Sequence, residues 1–76
     1  MGRTIARKKI GKNYMVELVY FRDGYRLYPY RKVRGQWHEG SGEVFGKFNT
    51  LEEAKEEYKK VTPNMILTLS VGLRNL

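Results

Sequence analysis

Tyr14-Met15-Val16-Glu17-Leu18-Val19-Tyr20-Phe21-Arg22-Asp23-Gly24-Tyr25-Arg26-Leu27-Tyr28-Pro29-Tyr30-Arg31-Lys32-Val33-Arg34 is the stretch on which the fold turns. Tyr14, Val16, Leu18 and Tyr20 alternate with Met15, Glu17, Val19 and Phe21, which is the period of two of a β-strand built from β-branched and aromatic residues. Asp23-Gly24 is a hairpin signal because both residue types tolerate positive φ. The return strand is expected to run from Tyr25 to about His38. Glu39-Gly40-Ser41-Gly42 reads as a second turn, and Glu43 to Phe48 as a third, shorter strand.

A helix is expected next. Thr50 and Glu53 form a capping box, Glu52 and Glu53 lie at the positive end of the helix dipole, and Lys59 and Lys60 lie at the negative end. Leu51, Ala54, Tyr58 and Val61 share one stripe, leaving Glu52, Lys55, Glu56, Lys59 and Lys60 as a solvated face. Thr62-Pro63 ends the helix, since proline disfavours helical geometry in the residue before it. Beyond it, Met65, Leu67, Leu69, Val71 and Leu73 alternate with Ile66, Thr68, Ser70 and Gly72. That pattern is too apolar to leave in solvent and reads as a fourth strand or as a homodimer contact through residues 64–73. The fold class is therefore α+β: a three-stranded antiparallel sheet packed on one C-terminal helix, with the tail as either a fourth strand or a dimer contact. Residues 13–62 make the β-β-β-α domain, residues 1–12 a mobile basic arm, and residues 63–76 the apolar tail.

The net charge of +7 is confined to part of the chain. Residues 48–76 balance Lys55, Lys59, Lys60 and Arg74 against Glu52, Glu53, Glu56 and Glu57, so the whole surplus lies before Phe48. There, cations are interleaved with rings along Tyr25 to Arg34, followed by Trp37. Cations that meet phosphates and rings that stack on bases are the means by which proteins hold nucleic acid. Residues 1–12 add Arg3, Arg7, Lys8, Lys9 and Lys12 without an acid.

Drawing the tightest loops tests which side chains share a face. A two-residue loop at Asp23-Gly24 sets Tyr20 opposite Leu27. A four-residue loop at 39–42 sets Trp37 opposite Val44 and Val33 opposite Phe48. One face then collects Tyr14, Val16, Leu18, Tyr20, Leu27, Val33, Trp37, Val44 and Phe48 for the helix. The other collects Arg26, Tyr28, Tyr30, Lys32, Arg34, Gln36 and His38, flanked by Phe21, Phe45 and Lys47. Pro29 conflicts with this register, because its nitrogen would face the first strand where an N–H is required; a bulge or a longer first loop would remove the conflict. The candidate nucleic-acid-binding residues are Arg7, Lys8, Lys9, Arg26, Tyr28, Tyr30, Lys32, Arg34 and Lys47.

The run Val44-Phe45-Gly46-Lys47-Phe48-Asn49-Thr50-Leu51-Glu52-Glu53-Ala54-Lys55-Glu56-Glu57-Tyr58 resembles the third strand and helix of plant ethylene-response-factor DNA-binding domains. The match lies in Gly46, Phe48, Thr50, Glu52-Glu53-Ala54 and Tyr58. The arm-binding domains of some phage and transposon integrases use the same three-strand-plus-helix plan. The resemblance implies a sheet that enters the major groove of duplex DNA, with Arg26, Arg31 and Arg34 as loose counterparts of the family's base-contacting arginines.

Other classes are less well supported. His38 is the single histidine, with only Glu39 and Glu43 near it in sequence, and the chain has no cysteine, so neither a metal site, a cofactor site nor an acid–base pair is spelled out and no enzyme is expected. Hydrophobic residues at 41% are too many for a disordered chain. No apolar run long enough for a secretory leader or a membrane span occurs, which with the missing cysteines fits a cytoplasmic protein. The competing function readings are single-stranded DNA or RNA binding by stacking on Phe21, Tyr28, Tyr30 and Phe45, and a small protein-binding or inhibitory module of a mobile element or virus.

Overall fold

The computed structural model describes residues 2–76; Met1, the first residue of the expected arm, lies outside the described residues. Four strands hydrogen-bond in chain order, every pair antiparallel: β1 (Arg3–Ile10), β2 (Tyr14–Phe21), β3 (Gly24–Val33) and β4 (Gln36–Glu39). Three helices follow: α1 (Leu51–Lys60), α2 (Pro63–Leu69) and α3 (Val71–Arg74). The chain is thus α+β, with four strands in the sheet where the sequence reading expected three.

The expected basic arm is β1. Ala6, Lys8 and Ile10 stand opposite Leu18, Val16 and Tyr14, and Ala6 and Ile10 pack against the core. An edge strand needs apolar surface at only every second position, and here one of those positions is filled by the stem of Lys8, whose Nζ lies 4.7 Å from the centre of the Tyr58 ring. A cation on the core face concealed the strand.

The first hairpin turns at Arg22-Asp23, one residue earlier than expected, so that Phe21 pairs with Gly24 and Leu18 with Leu27. Gly24 opens β3 at φ 141°, with the Phe48 carbonyl where a Cβ would project. This slide leaves the side-chain faces of β2 and β3 unchanged and inverts their hydrogen-bonding pattern. Lys32 N–H donates to the Asn13 carbonyl at 2.7 Å, so even-numbered residues of β3 bond toward β2. Tyr25 and Phe48 exchange bonds of 2.8 and 3.0 Å on the opposite side, and Pro29 accepts there from the Gly40 N–H at 2.8 Å. The missing N–H of Pro29 therefore points away from β2, without a bulge or a longer loop.

The long return strand is broken. Arg34-Gly35, at φ 52° and 78°, forms a two-residue turn of the kind that suits hairpins, and β4 folds back with Val33 opposite Gln36 and Lys32 opposite Trp37. Three expectations are corrected by this turn. Trp37 sits on the face away from the core, Gln36 and His38 share the parity of Arg31 and Val33 on the core side, and Arg34 occupies a turn tip rather than a strand. The expected third strand, residues 43–48, forms turns and contributes only the bridge between Phe48 and Tyr25.

The capping box of α1 forms in both directions, Glu53 N–H to Thr50 Oγ1 and Thr50 N–H to Glu53 Oε1, each at 3.2 Å. Ala54 and Val61 join Val16, Leu18, Leu27, Ile66 and Leu73 in the buried core, with Leu51 and Tyr58 packed against it. Thr62-Pro63 ends α1 and also starts α2: Thr62 Oγ1 accepts from the Met65 N–H at 3.2 Å, and Pro63 takes the first helical position, where a missing N–H is harmless. The tail is accordingly helical rather than a strand. Ile66, Ser70 and Leu73, spaced by four and three residues, are its buried members. The Arg31 guanidinium donates to the Leu73 carbonyl at 2.8 Å at the end of α3, where free carbonyls and the helix dipole favour a cation. Among the described residues no helix is long and apolar enough to cross a membrane.

The helical tail separates neighbouring residues by energy. Ile66→Ala removes a fully buried side chain and is expected to lower stability by about 2–4 kcal/mol. Leu69→Ala, at a site 44% exposed, should lower it by under about 1 kcal/mol. Urea denaturation monitored by circular dichroism checks the contrast; equal losses, or a larger loss for Leu69, would return the tail to a strand.

Candidate nucleic-acid interface

The strand registers place on the face away from the core Thr4, Arg7 and Lys9 of β1, Met15, Glu17, Val19 and Phe21 of β2, Arg26, Tyr28, Tyr30 and Lys32 of β3, and Trp37 and Glu39 of β4. The bulge between Thr4 and Ala6 brings Thr4 onto this face. Its charges fall into three zones.

At the end bearing the β2–β3 turn, Asp23 pairs with two of the local cations. Lys47 Nζ lies 3.0 Å and Arg26 Nη2 3.3 Å from Asp23 Oδ2, and the Arg26 guanidinium lies 5.4 Å from the centre of the Phe21 ring. The hydrogen bond from Lys47, with the charges of Lys47 and Arg26, holds the exposed Asp23 carboxyl below its ordinary value.

The centre of the face is acidic. Tyr30 Oη donates to Glu17 Oε1 at 2.7 Å and meets Glu39 Oε2 at 3.2 Å, while Thr4 Oγ1 donates to Glu17 Oε2 at 2.6 Å. This chain of side chains crosses all four strands. Burial, then the hydrogen bond and charge of Glu17, then Glu39, push the Tyr30 phenol far above its ordinary value. Beside it, the backbone at Gly42 lies against the Tyr28 ring, whose centre is 6.3 Å from that of Phe21.

At the remaining end the β1–β2 turn, carrying Lys12, and the β3–β4 turn, carrying Arg34, project together beyond Lys9, Met15, Lys32 and Trp37. Lys32 Nζ lies 5.7 Å from the Trp37 ring centre. Among the described residues the only ion pairs are those of Asp23, so Lys9, Lys12, Lys32 and Arg34 form none, and no acid occurs in the sequence between Gly24 and His38. Arg7 stands one row further in, opposite Glu17.

The nine sequence-nominated residues thus divide. Lys9, Lys32 and Arg34 gather at one end with Arg7 behind them. Lys8 lies on the core side over Tyr58, Arg26 and Lys47 are held by Asp23 at the far end, Tyr28 is partly covered, and Tyr30 is held between carboxylates. Lys12 and Trp37 belong to the basic end and were not nominated. Gly11 and Gly35, each beside a cation, were the available signal that two turns meet there. No protein-family model, curated protein or solved structure matches the chain.

The Tyr30 phenol carries a pH dependence of definite sign. Because the folded state holds this proton beyond the pH, about 10, at which an unfolded tyrosine releases it, the stabilisation is complete below that pH and is lost as pH rises above it. Denaturation of the native protein and of Tyr30→Phe at pH 8 and at alkaline pH should show the native protein losing more stability than the variant. Parallel losses would mean that the phenol is not held by Glu17 and Glu39.

Proposed function

We propose that this chain binds nucleic acid, duplex DNA in preference to single strands, through the basic end of its sheet formed by Lys9, Lys12, Lys32, Arg34 and Trp37. The observation that carries the reading is the convergence of four cations without ion-pair partners at one end, while Arg26 and Lys47 are held by Asp23, Lys8 lies over Tyr58 and Arg31 is bound to the end of α3. Cations free of carboxylates neutralise phosphates without first breaking an internal pair. Arg34 adds a second argument. A side chain at φ 52° carries a penalty of about 1 kcal/mol that glycine would avoid; a strained turn residue bearing a charge is a candidate for function.

The aromatic residues favour duplex over single strands. Phe21 and Tyr28 pack near each other, Tyr28 is partly covered at Gly42, and the Tyr30 hydroxyl is engaged, which leaves Trp37 as the ring of the basic end. A stacking platform for successive bases needs several free rings. The acidic centre limits the footprint, since Glu17 and Glu39 repel phosphates. Binding is therefore read as dominated by the backbone of the nucleic acid, and sequence preference would come from base contacts of Arg34 or Lys32.

With about four to five phosphates neutralised, the logarithmic salt slope for duplex DNA should be about −4. Lys9→Ala and Lys32→Ala should each lower it by about one unit. Arg34→Gly separates binding from folding: it relieves the backbone, so stability should hold or rise, while affinity falls by about 1–3 kcal/mol if Arg34 reaches bases and by less if it reaches only phosphate. Arg26→Ala, whose cation is held by Asp23, should matter less. Fluorescence anisotropy against duplex DNA, single-stranded DNA and RNA at two salt concentrations measures all of this. A flat salt response would overturn nucleic-acid binding, and tighter binding of a single strand, lost in Trp37→Ala, would replace the duplex by stacking.

A further inference from the structure

A second surface lies at the opposite side of β1 from its partner β2. β1 is an edge strand, and its outward backbone groups can be assigned. The Asn13 carbonyl receives the Lys32 N–H, so odd-numbered residues of β2 direct their backbones to β3 and even-numbered ones to β1. Their partners Ile10, Lys8 and Ala6 bond inward, which leaves the N–H and C=O of Arg7 and Lys9 facing the open edge.

Beside this edge runs an apolar groove of about 290 Å³, lined by Ile5, Ala6, Leu18 and Tyr58 with Lys55 and Lys59 of α1. The β-bulge makes it: where alternation would separate Ile5 from Ala6, the irregularity between Thr4 and Ala6 lets both residues line the groove, and Ile5 remains 42% exposed. No carboxylate lines it. The strand itself carries Arg3, Arg7, Lys8 and Lys9 and no acid. Two copies of β1 paired with each other would bring these like charges together, which is how natural sheets protect their edges from self-association.

We infer that the β1 edge is a docking site for an extended acidic peptide segment of a partner protein, which adds as a fifth strand to the Arg7 and Lys9 backbone and seats an apolar side chain in the groove beneath Lys55 and Lys59. Backbone pairing supplies affinity in such strand addition, and the groove together with the lysines supplies selectivity. The surface is separate from the basic end of the sheet, so it does not depend on the nucleic-acid reading.

The test uses a fluorescein-labelled ten-residue probe peptide alternating glutamate with valine, and a second in which serine replaces valine. Saturation with the first should slow amide hydrogen exchange at Arg7 and Lys9 by at least about tenfold, as new backbone bonds form. The serine peptide should bind about tenfold more weakly, as should the first peptide to a Lys55→Glu/Lys59→Glu variant whose circular-dichroism spectrum matches that of the native protein. Ile5→Ala, a milder change at an exposed site, should weaken the valine peptide and leave the serine peptide unaffected. Equal binding of both peptides, unaltered exchange at Arg7 and Lys9, or sedimentation showing that the free protein covers this edge with its own β1 would each overturn the proposal.

Discussion

Proline has no N–H to give, and the position of Pro29 in the middle of β3 constrains the rest of the sheet. An interior strand must bond on both sides, so Pro29 is tolerated only where its nitrogen faces a partner that makes little demand on it. Turning at Arg22-Asp23 meets that requirement: Pro29 faces the short β4 side, where its carbonyl still receives Gly40, and the β2 ladder stays whole. The same choice directs Tyr25 toward Phe48 and anchors the loop that leads to α1. Leu18 opposite Leu27 and Val16 opposite Pro29 then form the floor of the core.

Electrostatics on the opposite face follow from where each strand ends. Turns concentrate polar residues, and a meander of four strands places its first and third turns at one end and its second at the other. Asp23 happens to occupy the second turn and draws in Arg26 and Lys47. The first and third turns contain Lys12 and Arg34 and no acid. A chain whose composition is simply basic thereby becomes a surface with an ion-paired end, an acidic middle and an end whose cations are unpaired.

The helices perform the closing role expected of a small chain without disulfides. At this length only about 60–65% of the unfolded surface can be buried, so each apolar residue of the tail must be used within the core or left to water. Folding the tail as α2 and α3 sends Ile66 and Leu73 inward and leaves Leu69, Val71 and Leu76 outside. Arg31 fastens the end of that tail to the sheet, a structural use for a cation that the sequence reading grouped with DNA-contacting arginines.

Local chemistry determined much of this from sequence alone. The existence of the β2–β3 hairpin, the faces of both its strands and the capped helix α1 are written in alternation and in Thr50-x-x-Glu53, because each depends on residues a few positions apart. Asp23-Gly24, by contrast, marked the hairpin one residue away from its actual turn at Arg22-Asp23. The features that only tertiary structure decided depend on neighbours distant in the chain. β1 is visible as a strand only once β2 supplies its ladder and Tyr58 accepts Lys8. The tail reads equally as alternation or as a helical stripe until a core exists to receive Ile66, Ser70 and Leu73. The carboxylates that hold Tyr30, and the pairing that removes Arg26 and Lys47 from the basic surface, arise from strand register, and an error of one turn at Arg34-Gly35 exchanged Trp37 for His38. Charge and composition indicated a basic sheet rich in aromatic residues; that Lys9, Lys12, Lys32 and Arg34 lie at one end of it follows from the order in which the strands lie side by side.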